Sequence, residues 1–132
     1  MLTRDFRAWR GTAPRSAERR AVEIAIIQTA GILGHYAADS ANPHHTTIHY
    51  NGWAGPNPDG YATDCDAHSR FESQFVSHAV TLGDVVPFLS PPARHKDYFA
   101  TANEFIRASN ALTGTLYRID RDEVFSHFGP VS

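Results

Sequence analysis

The chain has 132 residues, 42% of them hydrophobic, and a formal charge of −2. This is the length and composition of one globular domain, which excludes a low-complexity chain and a nucleic-acid binder that works by bulk charge. A single cysteine, Cys65, excludes an internal disulfide framework and a cysteine-based zinc cluster.

The first twenty residues carry Arg4, Arg7, Arg10, Arg15, Arg19 and Arg20 against Asp5 and Glu18, while the rest of the chain is acidic. With Gly11 and Pro14 beside them, residues 1–15 read as a basic, partly disordered arm, and 16–132 as one helical domain. Such an arm is suited to touching phosphates or to peripheral contact with an anionic membrane. No apolar run approaches the roughly 18 residues of a transmembrane helix, and the start lacks a signal peptide's apolar stretch. The expected location is cytoplasmic as written, or secreted or periplasmic if more sequence precedes it.

From Ser16 to about Ala41 the spacing of Val22, Ile26, Ile27, Ala30 and Leu33 predicts a long helix, with Ser16 as its cap. Pro43 ends it. Residues 43–63 are turn chemistry throughout, including Asn51-Gly52 and Gly55-Pro56-Asn57-Pro58-Asp59-Gly60. A loop that long inside so short a chain is usually functional or tied down. A second helix is expected from Asp64 or Asp66 to about Val80, with Asp64 and Asp66 as caps, then a helical turn over 81–89. A third long helix should run from about Lys96 to Arg118, with Phe99, Phe105, Ile106, Leu112 and Leu116 inward. One last turn is expected over 120–128. The predicted class is all-α, about three long helices with a long ordered Gly/Pro-rich loop.

Histidine is the abnormal residue: there are eight, and five fall between positions 35 and 68. His35 and Asp39 are four apart on the first helix, and His68 and Glu72 are four apart on the second. Residues at that spacing share a helix face one turn apart, so each pair can converge on one ion. His45 lies just past Pro43, where the chain turns back. Imidazole with carboxylate is the usual non-thiolate ligand set of zinc. A lone pair of this kind is commonly a surface pair, but two pairs flanking a long loop, with a further histidine at its root, point to metal.

The remaining histidines read more plainly. His44 should point away from His45, and His49 is a loop residue that could also line a cleft. His78 lies off the ligand face, and His95 and His127 lie near helix ends. Tyr50, Trp53 and Tyr61 suit either loop packing or an apolar or nucleobase substrate. Cys65 reads as small and buried.

The runs His35-Tyr36-Ala37-Ala38-Asp39, Asn42-Pro43-His44-His45-Thr46-Thr47 and His68-Ser69-Arg70-Phe71-Glu72 resemble the core of the zinc-dependent phospholipase C and single-strand nuclease superfamily. The resemblance covers about residues 24–80, with Glu72 as in the phospholipase branch. It implies that His45, His68 and Glu72 hold one zinc, that His35 holds a second, and that Asp39, the catalytic carboxylate, bridges this zinc to a third. The family takes its other ligands from upstream segments, and this chain has no histidine before His35. Hence one site is complete in this chain, against up to three in the family. The implied activity is phosphodiester hydrolysis by metal-activated water, on a phospholipid head group or on single-stranded nucleic acid. The alternatives are the nuclease activity of the same superfamily and a non-catalytic helical fragment that one zinc stabilises.

Overall fold

The structure, a computed structural model, describes residues 1–125. It is all-α, with no strand among the described residues. The chain divides into two compact units, Met1–Asp39 and Ser40–Ser132. The expected last turn over 120–128, and His127, fall partly or wholly outside the described residues.

The first unit is a helical hairpin. Helix α1 spans Leu2–Gly11 and α2 spans Ala17–Asp39. Residues 1–15, expected as a partly disordered arm, are thus mostly helix. Leu2, Phe6 and Trp9 recur at helical spacing and give α1 an apolar face despite its arginines. Polar contacts hold the pair. Trp9 Nε1 donates to Glu23 Oε1 at 3.0 Å, and Thr29 Oγ1 donates to the buried Asp5 at 3.0 Å. The Arg19 guanidinium lies 4.2 Å over the Trp9 ring and donates to the carbonyls of Trp9 and Thr12, at 2.8 and 2.9 Å. It thereby adds a donor to the Trp9 carbonyl, which also accepts from Thr12, and engages the Thr12 carbonyl beyond the end of α1. Ser16 caps α2 as expected, accepting from the Arg19 amide at 3.1 Å.

Helix α2 contains no buried residue, and Ile24, Ile27, Ile32 and Leu33 are all exposed. Over eighteen residues its mean hydropathy reaches 1.2. By length and composition it is a weakly apolar span near the N-terminus, a pattern that signal sequences share. This corrects the expectation that no segment approaches spanning length: the few polar residues interrupt the run without lowering the average enough.

The second unit opens with a 3-10 turn, Pro43–Thr46. After the loop, α3 (Ala67–Ser69), a π-helical stretch (Arg70–Phe75) and α4 (Val76–Ala79) form one continuous helix. Helix α5 (Leu82–Val85) follows, with a capping box between Thr81 and Asp84, then a 3-10 turn over Val86–Phe88. Helix α6 covers Tyr98–Asn110 and α7 covers Thr113–Arg121. Asp97 caps α6 by accepting from the amides of Phe99 and Ala100, each at 3.0 Å.

The expected third helix is therefore two. It breaks where Thr113 Oγ1 donates to the Asn110 carbonyl at 2.7 Å and the Asn110 amide turns to the Thr46 carbonyl at 2.7 Å. Side chains that bond locally to the backbone compete with the helical ladder. Of the five residues expected inward, only Leu116 is buried; Phe99, Phe105, Ile106 and Leu112 are exposed. The helical period identifies an apolar face and says nothing about what covers it.

The core of this unit is small and aromatic. Ala67, Leu116, Tyr117 and Phe125 are buried, and Tyr117 is fully enclosed. Phe71 and Phe75, four apart, both pack on Phe125, with ring centroids at 5.4 and 4.9 Å. Tyr117 touches Trp53 and Tyr61 of the loop at 5.5 and 5.7 Å, and its hydroxyl donates to the His49 carbonyl at 2.6 Å. Burial pushes the Tyr117 phenol up to about 12.

The long loop is ordered by its own contacts as well. Asn57 and Tyr61 exchange two bonds of 2.8 Å, and the Trp53 amide donates to the Ala62 carbonyl at 2.7 Å. At Gly52 (φ +148°) a Cβ would meet the Cys65 backbone nitrogen at 3.3 Å, so any other residue would be strained there.

Candidate metal centre

Three side chains from the second unit converge. His45, His68 and Glu72 each offer a ligand atom, and these atoms lie within 4.8 Å of one another. The group could hold a metal ion.

The 3-10 turn places the first candidate ligand, His45. Asn42 Oδ1 accepts from the His44 amide at 3.0 Å, Pro43 fixes the next φ, and Thr46 Oγ1 closes the turn on the Pro43 carbonyl at 2.9 Å. Neighbouring residues on so tight a turn face apart. His44 goes inward and His45 outward. The His44 ring stacks on His68 (5.4 Å, 11° between planes) and meets Tyr117 edge-on at 5.5 Å. Burial first, and then the neighbouring His68, hold His44 below the ordinary histidine value, so it packs as a neutral ring.

The second and third candidates, His68 and Glu72, share the helix that starts at Ala67. Asp66 stands at its cap position but makes no side-chain cap. The missing acceptor comes from the loop instead: Asn51 Oδ1 accepts from the His68 amide at 3.1 Å, while Asn51 Nδ2 donates to the Cys65 carbonyl at 2.5 Å. Asp64 does not cap the helix either. It pairs with Arg70 at 2.6 Å, and Arg70 also forms two bonds with Asp120, at 2.8 and 2.6 Å. This fork ties α7 to the helix turn between His68 and Glu72, and it raises the Arg70 pKa further.

Glu72 lies in the π-helical stretch, a geometry that is rare and often marks functional positions. Its Oε2 is 3.6 Å from His45 Nε2, lies closer still to His68 Nε2, and accepts from Asn42 Nδ2 at 3.4 Å. Partial burial would raise the Glu72 carboxyl, but the bond from His68 and the proximity of His45 outweigh it and hold the group below the ordinary carboxylate value.

The other expected ligands lie in the first unit. His35 and Asp39, on α2, pair with each other, Nε2 to Oδ2, at 3.2 Å. His49 is a packing residue: its ring stacks on Trp53 at 3.8 Å and accepts from the Ala54 amide at 3.0 Å. His78 bonds the Gln74 carbonyl, and His95 lies against Tyr98. Trp53 and Tyr61 pack on Tyr117, whereas Tyr50 is exposed. Cys65 is exposed, not buried, and takes a left-handed backbone (φ +62°) in the turn before α3. Nothing local in the sequence marks Asn42, Asn51, Arg70 and Asp120 for these roles, because the partners concerned lie 17 to 50 residues away.

Compared with known proteins, the chain matches no family model, no curated protein and no solved structure.

Proposed function

We propose that this chain is a zinc-binding domain of a phosphodiester hydrolase, of the kind seen in zinc-dependent phospholipases C. The observation that supports it is the convergence of two imidazole nitrogens and one carboxylate oxygen within 4.8 Å. The donor chemistry fits zinc. Bonds of 2.0–2.1 Å in a tetrahedron put ligand atoms about 3.3 Å apart, near the 3.6 Å between His45 and Glu72, while His68 and Glu72 now bond each other and would part to admit the ion. Three protein ligands leave a fourth position open, as in catalytic sites.

His45 and Glu72 are exposed, so a substrate phosphate can reach that position from solvent. His44, stacked behind His68, fixes the plane of that ring. Neutral His45 and His68 would bind through Nε2, and Glu72 would supply the negative charge. When bound, zinc lowers the pKa of a coordinated water to about 7 and neutralises charge that develops on the phosphoryl oxygens. Asp39 has no step in this proposal, since in the structure it pairs with His35. The substrate is a phospholipid head group or single-stranded nucleic acid.

The test begins with elemental analysis of protein purified without chelators or a metal-binding tag. About one zinc per chain is expected, together with zinc-dependent hydrolysis of bis(p-nitrophenyl) phosphate that Glu72→Gln abolishes. No bound zinc, or undiminished activity in Glu72→Gln, would overturn the proposal. Phosphatidylcholine and single-stranded DNA then separate the two substrate classes.

One contact favours a second reading, in which zinc only pins the loop. Asn51 links the loop to the backbone of the ligand His68, so zinc held there would stiffen residues 47–66 without any chemistry. One zinc with no hydrolysis of any phosphodiester would establish it.

A further inference from the structure

We propose that Asn42 is a positioning residue for the metal centre, its one amide group setting both the turn that presents His45 and the carboxylate of Glu72. The inference rests on the zinc reading above and goes beyond its three ligands.

Asn42 is bonded at both ends of its amide. Oδ1 accepts from the His44 backbone amide at 3.0 Å and caps the 3-10 turn. Nδ2 donates to Glu72 Oε2, 30 residues further along the chain, at 3.4 Å. That is the same oxygen that faces both histidines. The amide is rigid and planar, so fixing one end aims the other. Two of the three ligands, on elements distant in sequence, are thereby referenced to one group.

Only asparagine performs both tasks. Serine and aspartate cap as well as asparagine does, but serine is too short to reach Glu72 and aspartate has no proton to donate. Glutamine has the donor but is not among the favoured caps. An oxygen that binds metal through one lone pair keeps another for a hydrogen bond. A donor placed there holds the carboxylate in its binding rotamer before the metal arrives, and partners of this kind typically change metal affinity 10- to 100-fold.

The capping and orienting roles separate in two variants of the full chain. Asn42→Ser keeps the cap and loses the donor, whereas Asn42→Ala loses both. Zinc affinity is measured by competition with a chromophoric chelator, the cobalt(II) absorption spectrum is recorded, and the metal-free protein is melted. In Asn42→Ser the expected result is an unchanged metal-free melting temperature, zinc binding weakened about tenfold, and cobalt bands altered in position or intensity. Asn42→Ala should show the same metal defect and melt earlier without metal. Wild-type zinc affinity and an unchanged cobalt spectrum in Asn42→Ser would overturn the proposal. So would a metal defect in Asn42→Ser that merely tracks a drop in its metal-free melting temperature. Failure of the wild-type chain to take up zinc would instead overturn the metal reading, and this inference with it.

Discussion

The two units carry a similar motif in different surroundings. On α2, His35 and Asp39 sit four residues apart, with His35 largely exposed, and their bond is to each other. On the helix from Ala67 to Ala79, His68 and Glu72 have the same spacing, but a third candidate donor, a stacked histidine and two asparagines surround them. Spacing alone makes a pair. It becomes a candidate ligand site where packing brings further donors to it and removes their freedom to turn away.

The difference extends to what holds each unit together. The first is a hairpin of two helices fastened by hydrogen bonds and a cation on an indole ring, with large apolar side chains left in the open. The second is built around Tyr117 and Phe125, with the loop packed onto them. Truncating residues in the two units should therefore have unequal effects. Tyr117→Ala should cost about 3–5 kcal/mol by the usual toll of removing a buried aromatic. Ile27→Ser, on exposed α2, should stay within about 0.5 kcal/mol. Urea unfolding of both variants checks this, and equal losses would erase the contrast.

Next in size is the ion-pair fork. Arg70 and Asp120 are both nearly buried, and breaking such a pair leaves an uncompensated charge. Asp120→Asn should cost about 3 kcal/mol, at the low end for a buried pair because Asp64 still holds Arg70. The same variant should weaken zinc binding, since the fork anchors the helix between the two ligands.

Zinc itself gives the third comparison. At a free concentration one hundred times its dissociation constant it should stabilise the fold by about 2.7 kcal/mol, read as a higher melting temperature. Glu72→Gln should abolish that gain, whereas His35→Ala should leave it and the zinc content intact. Loss of the gain in His35→Ala would show that the isolated pair belongs to the site after all.

The smallest effect expected is a pH slope. His44 is held below 6.5 in the fold, so as pH drops through 6.5 the unfolded chain takes up its proton first. Stability therefore falls with pH below about 6.5 and levels off once the folded value is passed. Glu72, held below its ordinary 4.5, adds a loss at lower pH. Melting the metal-free protein between pH 7.5 and 5 should show the first loss, and His44→Phe, which keeps the stacked ring, should flatten it.

Much of the site was legible in the sequence, because ligand spacing on a helix is a local property. The His68 and Glu72 pair follows from it; His45 is a candidate only as the histidine past Pro43, and its grouping with that pair comes from the family resemblance. The all-α class, the Ser16 cap and the approximate span of the second helix are local too. What stayed hidden depends on distant partners. Nothing near Asn51 in the chain announces that it caps a helix 17 residues away, and nothing near Arg70 points to Asp120. The inward faces expected for Phe99 and Phe105 failed for the same reason, since periodicity cannot supply a neighbour. The arginines of α1 mask its helix, because their charge and the nearby Gly11 and Pro14 look like an arm, while the Leu2, Phe6 and Trp9 spacing that marks the helix is short.

The backbone at Cys65 has a practical consequence. Its left-handed turn lifts the one thiol of the chain into solvent, two residues before the helix that carries His68 and Glu72. A fluorophore or spin label coupled to Cys65 would attach at a single known position without engineering. The Asn51 amide grips the same residue's carbonyl. A dye there would respond to any slackening of the loop, so the protein supplies the attachment point for watching whether added metal tightens it.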